Sequence, residues 1–180
     1  LYEYLKSHPQ ELQLIAEVKK ASPSLGDINL AVDIVEQART YERCGAAMIS
    51  VLTDEIFFKG HLDYLREISS RVTVPTLNKD FIIDEKQIVR ARNAGATVIL
   101  LIVAALSEKR LQELYDFAIG LGLEVLVETH NLAELEIAHR IGAQIIGVNN
   151  RNLVTFETDI NTSLQLSAHF KDDRVYVSES

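Results

Sequence analysis

Residues 94–102 have the sequence Ala-Gly-Ala-Thr-Val-Ile-Leu-Leu-Ile, a glycine followed by an apolar run rich in β-branched residues. The glycine is typical of the left-handed residue that ends a helix. The run after it predicts a strand. Because its apolar residues are consecutive and do not alternate, we expect both faces of the strand to be buried, as in a parallel sheet covered by helices.

The same order of helix, glycine and strand recurs along the chain, at Gly45, Gly122 and Gly142. Seven strands are predicted from it, at residues 14–18, 47–52, 74–77, 97–102, 124–127, 144–148 and 174–177. Helices are predicted between them, at residues 31–43, 61–70, 84–94, 107–120, 131–141 and 161–169. This alternation predicts an α/β fold with a parallel sheet.

Two architectures fit such a series, a doubly wound open sheet and a closed (β/α)8 barrel. An open sheet usually has a glycine-rich phosphate turn after its first strand, whereas residues 19–24 here are Lys-Lys-Ala-Ser-Pro-Ser. We therefore expect a TIM barrel with seven of its eight strands in this chain. Since no Ser/Gly-rich linker interrupts it, residues 1–180 are predicted to form a single barrel domain, incomplete at the C-terminus.

Composition excludes several classes of function. The chain is 47% hydrophobic and 24% charged, as in soluble globular domains, and its formal net charge is −8. Without a basic run, this charge argues against a nucleic-acid or membrane-surface partner. The longest apolar run, residues 98–106, is about half the length of a membrane-spanning helix. With the single cysteine Cys44 and no leader pattern, these features predict a cytoplasmic protein.

Polar residues cluster where a barrel carries its chemistry, at the carboxyl ends of the strands. Glu17 and Lys19 are two apart, and therefore on one side of the first strand. Later strands end in Asn78-Lys79-Asp80, Glu128-Thr129-His130, Asn149-Asn150-Arg151-Asn152 and Ser178-Glu179-Ser180.

A glutamate in an apolar strand is costly unless it is paired. We therefore expect Glu17 and Glu128 to contact Lys19 and Lys79. Burial and mutual charge are expected to lower the pKa of the lysines and raise that of the glutamates toward neutrality, as proton transfer requires.

Other polar residues have simpler explanations. Asp80, Thr129 and His130, taken singly, are more often helix caps or loop groups. Phe57-Phe58 could form an aromatic wall or lid facing a substrate, or could have no such role. Three histidines have no metal-ligand spacing and predict no metal site: His61, His139 and His169.

Five ordered segments carry a resemblance to a known family: residues 15–24 (IAEVKKASPS), 74–83 (VPTLNKDFII), 126–128 (LVE), 146–153 (IGVNNRNL) and 177–180 (VSES). In these segments the chain resembles indole-3-glycerol phosphate synthase, a (β/α)8 enzyme of tryptophan biosynthesis. The resemblance implies a carboxy-lyase that cyclises 1-(2-carboxyphenylamino)-1-deoxyribulose 5-phosphate with loss of carbon dioxide and water.

The resemblance also implies roles for the strand-end residues. Lys79 would be the acid beside the ribulose carbonyl oxygen, and Glu128 would take part in the dehydration. Lys19 would pair with the anthranilate carboxylate, while Glu17 and Asn149 would complete the catalytic set by orienting substrate and lysines.

A second group of residues would bind the substrate. Ser22 and Ser180 would lie toward its phosphate, and Phe58 would flank its aromatic ring. Arg151 would support the loop after the sixth strand, and Glu179 would help to orient the substrate and the lysines.

The resemblance implies no metal and no organic cofactor, because rearomatisation drives off the carboxylate. The only partner it implies is the phosphorylated small molecule, with possible fusion to or association with neighbouring tryptophan-pathway enzymes. It also places an N-terminal helical extension and the eighth strand outside residues 1–180. Two alternatives stay open: another phosphosugar barrel such as phosphoribosylanthranilate isomerase, and a non-catalytic barrel fragment that acts as a binding partner.

Overall fold

The computed structural model describes residues 1–9, 11–22, 26–28, 31–152, 155 and 157–180, without the side chains of Ser22 and Asp27. Its strands are β1 (Ile15–Val18), β2 (Ala21–Ser22), β3 (Gly26–Asp27), β4 (Met48–Leu52), β5 (Thr76–Lys79), β6 (Val98–Ile102), β7 (Glu124–Thr129), β8 (Ile145–Asn149) and β9 (Val175–Glu179). Its α-helices are α1 (Tyr2–Ser7), α2 (Ile34–Arg43), α3 (Leu62–Ser69), α4 (Glu85–Asn93), α5 (Glu108–Gly120), α6 (Leu132–Arg140) and α7 (Asn161–Leu166).

Seven of these strands form one parallel sheet in the order β1-β4-β5-β6-β7-β8-β9. Lys79 in β5 and Glu179 in β9 are four strands apart, which corresponds to about 19 Å in a flat sheet. Their side-chain atoms Nζ and Oε2 are nevertheless 2.7 Å apart. The sheet therefore curls, as a partial TIM barrel does, and the predicted fold class is confirmed.

The helices that cover this sheet begin and end where local sequence dictates. At the start of α4, the Asp84 carboxylate accepts a hydrogen bond from the backbone N–H of Lys86, and the Gln87 side chain accepts one from the Asp84 N–H. This reciprocal capping satisfies donors that the first helical turn leaves open. Gly95, just after α4, has φ 98°, which only glycine adopts without strain.

The core has two layers, one between sheet and helices and one inside the curled sheet. Every residue of β6 is buried, as its continuous apolar run predicts. Inside the sheet, apolar residues occupy the lower positions and polar residues the positions two further along: Met48 before Ser50, Leu77 before Lys79, and Leu126 before Glu128. The two-residue period of a strand therefore brings the polar groups together at one end of the barrel.

Several strands differ from their predicted bounds. The prediction ended β5, β7, β8 and β9 early, because polar residues were assigned to loops. Their backbones stay in the hydrogen-bonded ladder up to Lys79, Thr129, Asn149 and Glu179. The side chains of Lys79, Asn149 and Glu179 turn into the mouth. In addition, β9 is only half-buried, because it lies at one end of the sheet. Neither α1 nor the β2–β3 hairpin was predicted.

Within the described residues, no helix is long and apolar enough to cross a membrane.

Candidate active site

The first strand presents an ion pair at the edge of the mouth. Lys19 Nζ lies 2.8 Å from Oε1 of Glu17, and Ser50 Oγ donates a hydrogen bond to Oε2 of the same carboxylate at 3.3 Å. Both charged side chains are about 30% exposed. The predicted pairing of Glu17 with a lysine is therefore confirmed, and the lysine remains within reach of solvent and of a bound molecule.

Lys79 is the centre of the deeper cluster. Its Nζ lies 2.7 Å from Oε2 of Glu179 and 3.6 Å from Oε2 of Glu128. Burial by itself lowers the pKa of Lys79, but Glu179, Glu128 and Glu17 outweigh burial and hold that pKa well above its ordinary value. The expected lowering of the lysine pKa is therefore wrong, because more than one carboxylate surrounds this ammonium group.

Glu128 is 5% exposed and accepts a hydrogen bond from Asn149 Nδ2 at 3.2 Å. Burial raises the pKa of Glu128, but contacts with His130, Lys79 and Asn149 outweigh it and hold the pKa below its ordinary value. The expected rise is wrong for this residue also. Glu128 is therefore expected to be ionised at neutral pH.

Glu179 behaves in the opposite way. Burial raises its pKa, and the negative charges of Glu128 and Glu17 add to that effect, although Lys79 opposes it. Its Oε1 has no hydrogen-bond partner among the described residues. This oxygen fills the place where a Cβ on Gly147 would stand. Glu179 is thus the carboxyl group that matches the expected rise in pKa.

Asn149 is oriented by the chain that follows it. The backbone N–H of Arg151 donates to Asn149 Oδ1 at 2.9 Å, so the amide nitrogen must face Glu128. The backbone of Arg151 then pairs with Thr158 to begin the loop. Both contacts are made by the backbone, so the predicted role of Arg151 stays a prediction.

Asn150, which we did not single out from the sequence, holds β9 in place. It is buried, and its Nδ2 donates to Ser178 Oγ at 2.9 Å and to the Glu179 carbonyl at 3.0 Å. Its Oδ1 accepts from the backbone N–H of Ser163 at 3.0 Å. The two adjacent asparagines therefore serve different strands, Asn149 facing Glu128 and Asn150 fixing the backbone of Glu179.

Three phenylalanines group together after β4 and β5. Phe58 and Phe57 each lie with their ring centroids 6.4 Å from that of Phe81. Phe57 and Phe81 are exposed, although both are large and apolar. Sequence reasoning selected Phe58 and missed Phe81, whose signal was its place two residues after Lys79 in the segment at residues 74–83.

His130 is a second residue that the sequence analysis undervalued. Its ring contacts Glu128 and Glu134, and only 12% of the side chain is exposed. Burial lowers its pKa, but the two carboxylates outweigh burial and raise the pKa to about 9. The simpler explanation holds for Asp80, which lies in the loop after β5 and accepts a hydrogen bond from Thr53. It is wrong for Thr129, which is a fully buried residue of β7 that donates to the Gly147 carbonyl. His130 contacts the first turn of α6 through Glu134, as that explanation expects, and also contacts Glu128, which it does not cover.

The residues assigned to phosphate binding are less defined. Ser180 follows β9 directly and is exposed. The side chain of Ser22 lies outside the described residues, so its predicted role stays a prediction. A cavity of about 890 Å³ is lined by Ser180 and also by Glu17, Lys79 and Glu179. The cavity also extends between the two end strands of the sheet, from Leu14 to Val175, so its volume includes more than the mouth.

A charged, partly buried cluster at the carboxyl ends of curled parallel βα strands defines an enzyme of the (β/α)8-barrel class. Comparison with known proteins gives the family. A family model described as indole-3-glycerol phosphate synthase matches residues 1–180, and the chain belongs to that family, which acts in tryptophan biosynthesis.

Individual relatives agree with this assignment. The indole-3-glycerol phosphate synthase of Streptococcus sanguinis (strain SK36) is 97% identical over the whole chain, which covers 71% of that protein. The protein of the same name from Streptococcus mutans serotype c is 79% identical with the same coverage. A solved N-acetylmannosamine-6-phosphate 2-epimerase from Clostridium perfringens has TM-score 0.67 and 13% identity, with 92% of this chain and 74% of that chain covered. That likeness concerns the fold alone.

Among the described residues, no group of three or more His, Cys, Asp or Glu side chains is arranged to hold a metal ion.

Proposed function

We propose that the chain carries the site of a carboxy-lyase that converts 1-(2-carboxyphenylamino)-1-deoxyribulose 5-phosphate into indole-3-glycerol phosphate. The observation that carries this proposal is the Lys79 ammonium group between the carboxylates of Glu128 and Glu179. An acid and a base at this distance, in a mostly buried mouth, suit a reaction in which protons must be both given and taken.

Substrate binding begins with Lys19. Its ammonium group is paired with Glu17 at the exposed edge of the mouth, so it can turn to the carboxylate of the anthranilate ring without crossing the core. The apolar rings of Phe58 and Phe81 then suit the aromatic ring itself. Ser22, Ser180 and the loop that begins at Arg151 are the proposed phosphate side.

Ring closure joins the aromatic carbon that bears the carboxylate to the ribulose carbonyl carbon. Lys79 gives a proton to the carbonyl oxygen, which becomes a hydroxyl group, and carbon dioxide leaves as the ring regains aromaticity. The acid is held in its charged form by the surrounding carboxylates, which is the form that can donate. Glu179, with its raised pKa, can return a solvent proton to Lys79 for the next step.

Dehydration completes the indole. The hydroxyl group leaves as water with a proton from Lys79, and a proton leaves the adjacent methylene carbon as the double bond forms. Because Glu128 is ionised, it is the proposed base for that proton. Asn149 holds the carboxylate by its hydrogen bond to Oε1.

The test is a fluorescence assay for indole product with the full-length protein and this substrate, run beside a Glu128→Gln variant. The proposal expects rapid product formation that falls about 10²-fold or more in the variant. Consumption of phosphoribosylanthranilate without indole formation would indicate the isomerase alternative. Binding of a substrate analogue without turnover would indicate a non-catalytic barrel.

We further propose that residues 1–180 belong to one barrel domain, which an eighth βα unit closes between β9 and β1. In support, β1 and β9 are each paired with only one neighbour among the described strands, and the aligned relatives are longer than this chain. A cytoplasmic location, and association with neighbouring pathway enzymes, are likewise proposals. Intact mass and size-exclusion chromatography of the native protein test the last of these.

A further inference from the structure

Glu128 is the first of three residues, with His130 and Glu134, that form two successive ion pairs. The proposed reaction does not use His130 or Glu134 directly. His130 Nε2 is 3.1 Å from Glu128 Oε1, at ion-pair distance but outside hydrogen-bond alignment. On the other side of the ring, His130 Nδ1 is 3.0 Å from Glu134 Oε2. The side chains of all three residues are mostly buried, with exposed fractions between 5% and 16%.

The connection from β7 to α6 fixes this arrangement. Glu134 stands in the first turn of α6 and accepts hydrogen bonds from the backbone N–H of His130 at 2.8 Å and from Asn131 Nδ2 at 2.9 Å. These two hydrogen bonds hold the Glu134 carboxylate in place independently of its contact with the imidazole ring. His130 itself lies one residue past the end of β7, and its ring contacts the Glu128 carboxylate of that strand.

The protonation of His130 follows from its neighbours. An ionised carboxylate has no proton to donate. Each ring nitrogen of His130 that lies against a carboxylate oxygen must therefore carry a proton itself. Nδ1 donates to Glu134, and a lone pair on Nε2 would repel Glu128. The ring is therefore an imidazolium cation between two anions, which agrees with its pKa of about 9.

We propose that His130, held by Glu134, is a positioning residue that fixes the Glu128 carboxylate in its ionised form with Oε2 turned toward Lys79 and the substrate. This inference rests on the proposed role of Glu128 as the base. Because His130 and Asn149 both approach Oε1, the second oxygen is left to face the mouth. His130 is already protonated and so does not itself accept the substrate proton.

The alternative is that His130 and Glu134 only stabilise the start of α6. The pH dependence of kcat distinguishes the two roles, because a purely structural role would not change the pKa of Glu128. The charged groups that matter are Glu128 on β7, Glu134 on α6, Lys79 on β5 and Glu179 on β9. A His130→Gln variant removes the cationic ring next to Glu128 and leaves these four groups in place.

The experiment measures kcat and KM of the full-length protein across pH for wild type, His130→Gln and Glu134→Gln. In His130→Gln we expect the acidic limb of kcat to move up by about one pH unit, since Glu128 loses a cationic partner. At pH 7, where Glu128 stays ionised, kcat should still fall about tenfold because the carboxylate is less well positioned, while KM stays within about twofold of wild type. Glu134→Gln should shift the limb in the same direction by less.

The matched control is His139→Gln, which changes a histidine in the last turn of α6 whose Nε2 lies 2.9 Å from the Tyr176 hydroxyl. It should leave the pH profile unchanged. A lower kcat in His130→Gln with an unmoved acidic limb would overturn the proposal and favour a purely structural role at the start of α6. So would an unchanged kcat, provided that Glu128→Gln is inactive. If Glu128→Gln itself turns over normally, the proposed role of Glu128 fails first.

A second measurement does not depend on the variant folding. Nitrogen NMR of the wild-type protein labelled at histidine reports which ring nitrogens carry protons. Two protonated nitrogens on His130 at pH 7 support the proposal, and a neutral ring at that pH overturns it.

Discussion

The carboxylate of Glu179 occupies the space that a side chain on Gly147 would need. Glu179 Oε1 fills the position of the missing Cβ, and the other oxygen, Oε2, lies 2.7 Å from Lys79 Nζ. The glycine of β8 therefore makes room for the ion pair between β5 and β9. In this way a residue without a side chain sets the position of two charged ones.

Gly147→Ala should push Glu179 away from Lys79. We expect kcat to fall about tenfold or more, and the free energy of unfolding to fall by about 1–3 kcal/mol, as in other overpacked cores. Enzyme assays and urea unfolding measure these two effects. Gly120→Ala is the control, because that glycine is exposed in α5 with open space at its Cβ position. A Gly147→Ala protein with normal turnover would show that the carboxylate needs no such room.

Lys79→Met should lower kcat by about 10² or more with a smaller change in KM, because the variant keeps the length of the side chain and loses the acid. The matched control is Lys109→Met on α5, where the lysine side chain is 90% exposed. Near-normal turnover in Lys79→Met would remove the acid from the proposed mechanism.

Lys19→Ala should raise KM as well as lower kcat. The charge that Lys19 is proposed to meet, the substrate carboxylate, is present before the reaction starts, so binding and rate both depend on it. Lys19→Arg keeps a cation at the same place and should restore part of the affinity. A fall in kcat with an unchanged KM would contradict this assignment and place Lys19 among the groups that act only in the transition state.

The stabilising effect of His130 should disappear in alkaline solution. Its pKa rises from the ordinary value of 6.5 to about 9 in the folded protein, so the folded state binds the proton more tightly than the unfolded state. The contribution, on the order of 1–3 kcal/mol, is complete below pH 6.5 and is lost as the pH rises to about 9.

Urea unfolding of wild type and His130→Gln at several pH values measures this difference, which should shrink between pH 6.5 and 9. His139→Gln provides the contrast. Burial and the charges of Lys171 and Arg174 lower the pKa of His139, so its difference from wild type should not shrink in that window. A difference for His130→Gln that stays constant up to pH 10 would mean that its ring is neutral in the folded protein.

Much of the fold could be predicted because its signals are local. The consecutive apolar residues of β6 predict a strand buried on both faces, and Gly95 marks the end of the helix before it. Strand ends were predicted too early for a physical reason: Lys79 and Glu179 are polar, yet their backbones remain in the sheet. Polarity describes the side chain, whereas the strand is defined by the backbone.

The composition of the site was predictable, but its electrostatics were not. Glu17, Lys79 and Glu128 follow from their positions in the strands and from the family resemblance. The pKa directions of Lys79 and Glu128 depend on how many carboxylates approach one ammonium group, and that number is set by the curl of the sheet. The role of His130 depends on Glu134, a residue that the sequence alone presents as one more acidic side chain of a solvated helix.

The pairing of Lys79 with Glu179 also bears on how the protein is made. The two residues are 100 positions apart in the chain, and ribosomes add about 5–20 residues per second. Several seconds therefore pass during which the lysine has emerged and its nearest carboxylate has not. An ammonium group resists leaving water without a partner, so we expect the centre of the nascent barrel to stay hydrated until the strand that carries Glu179 arrives.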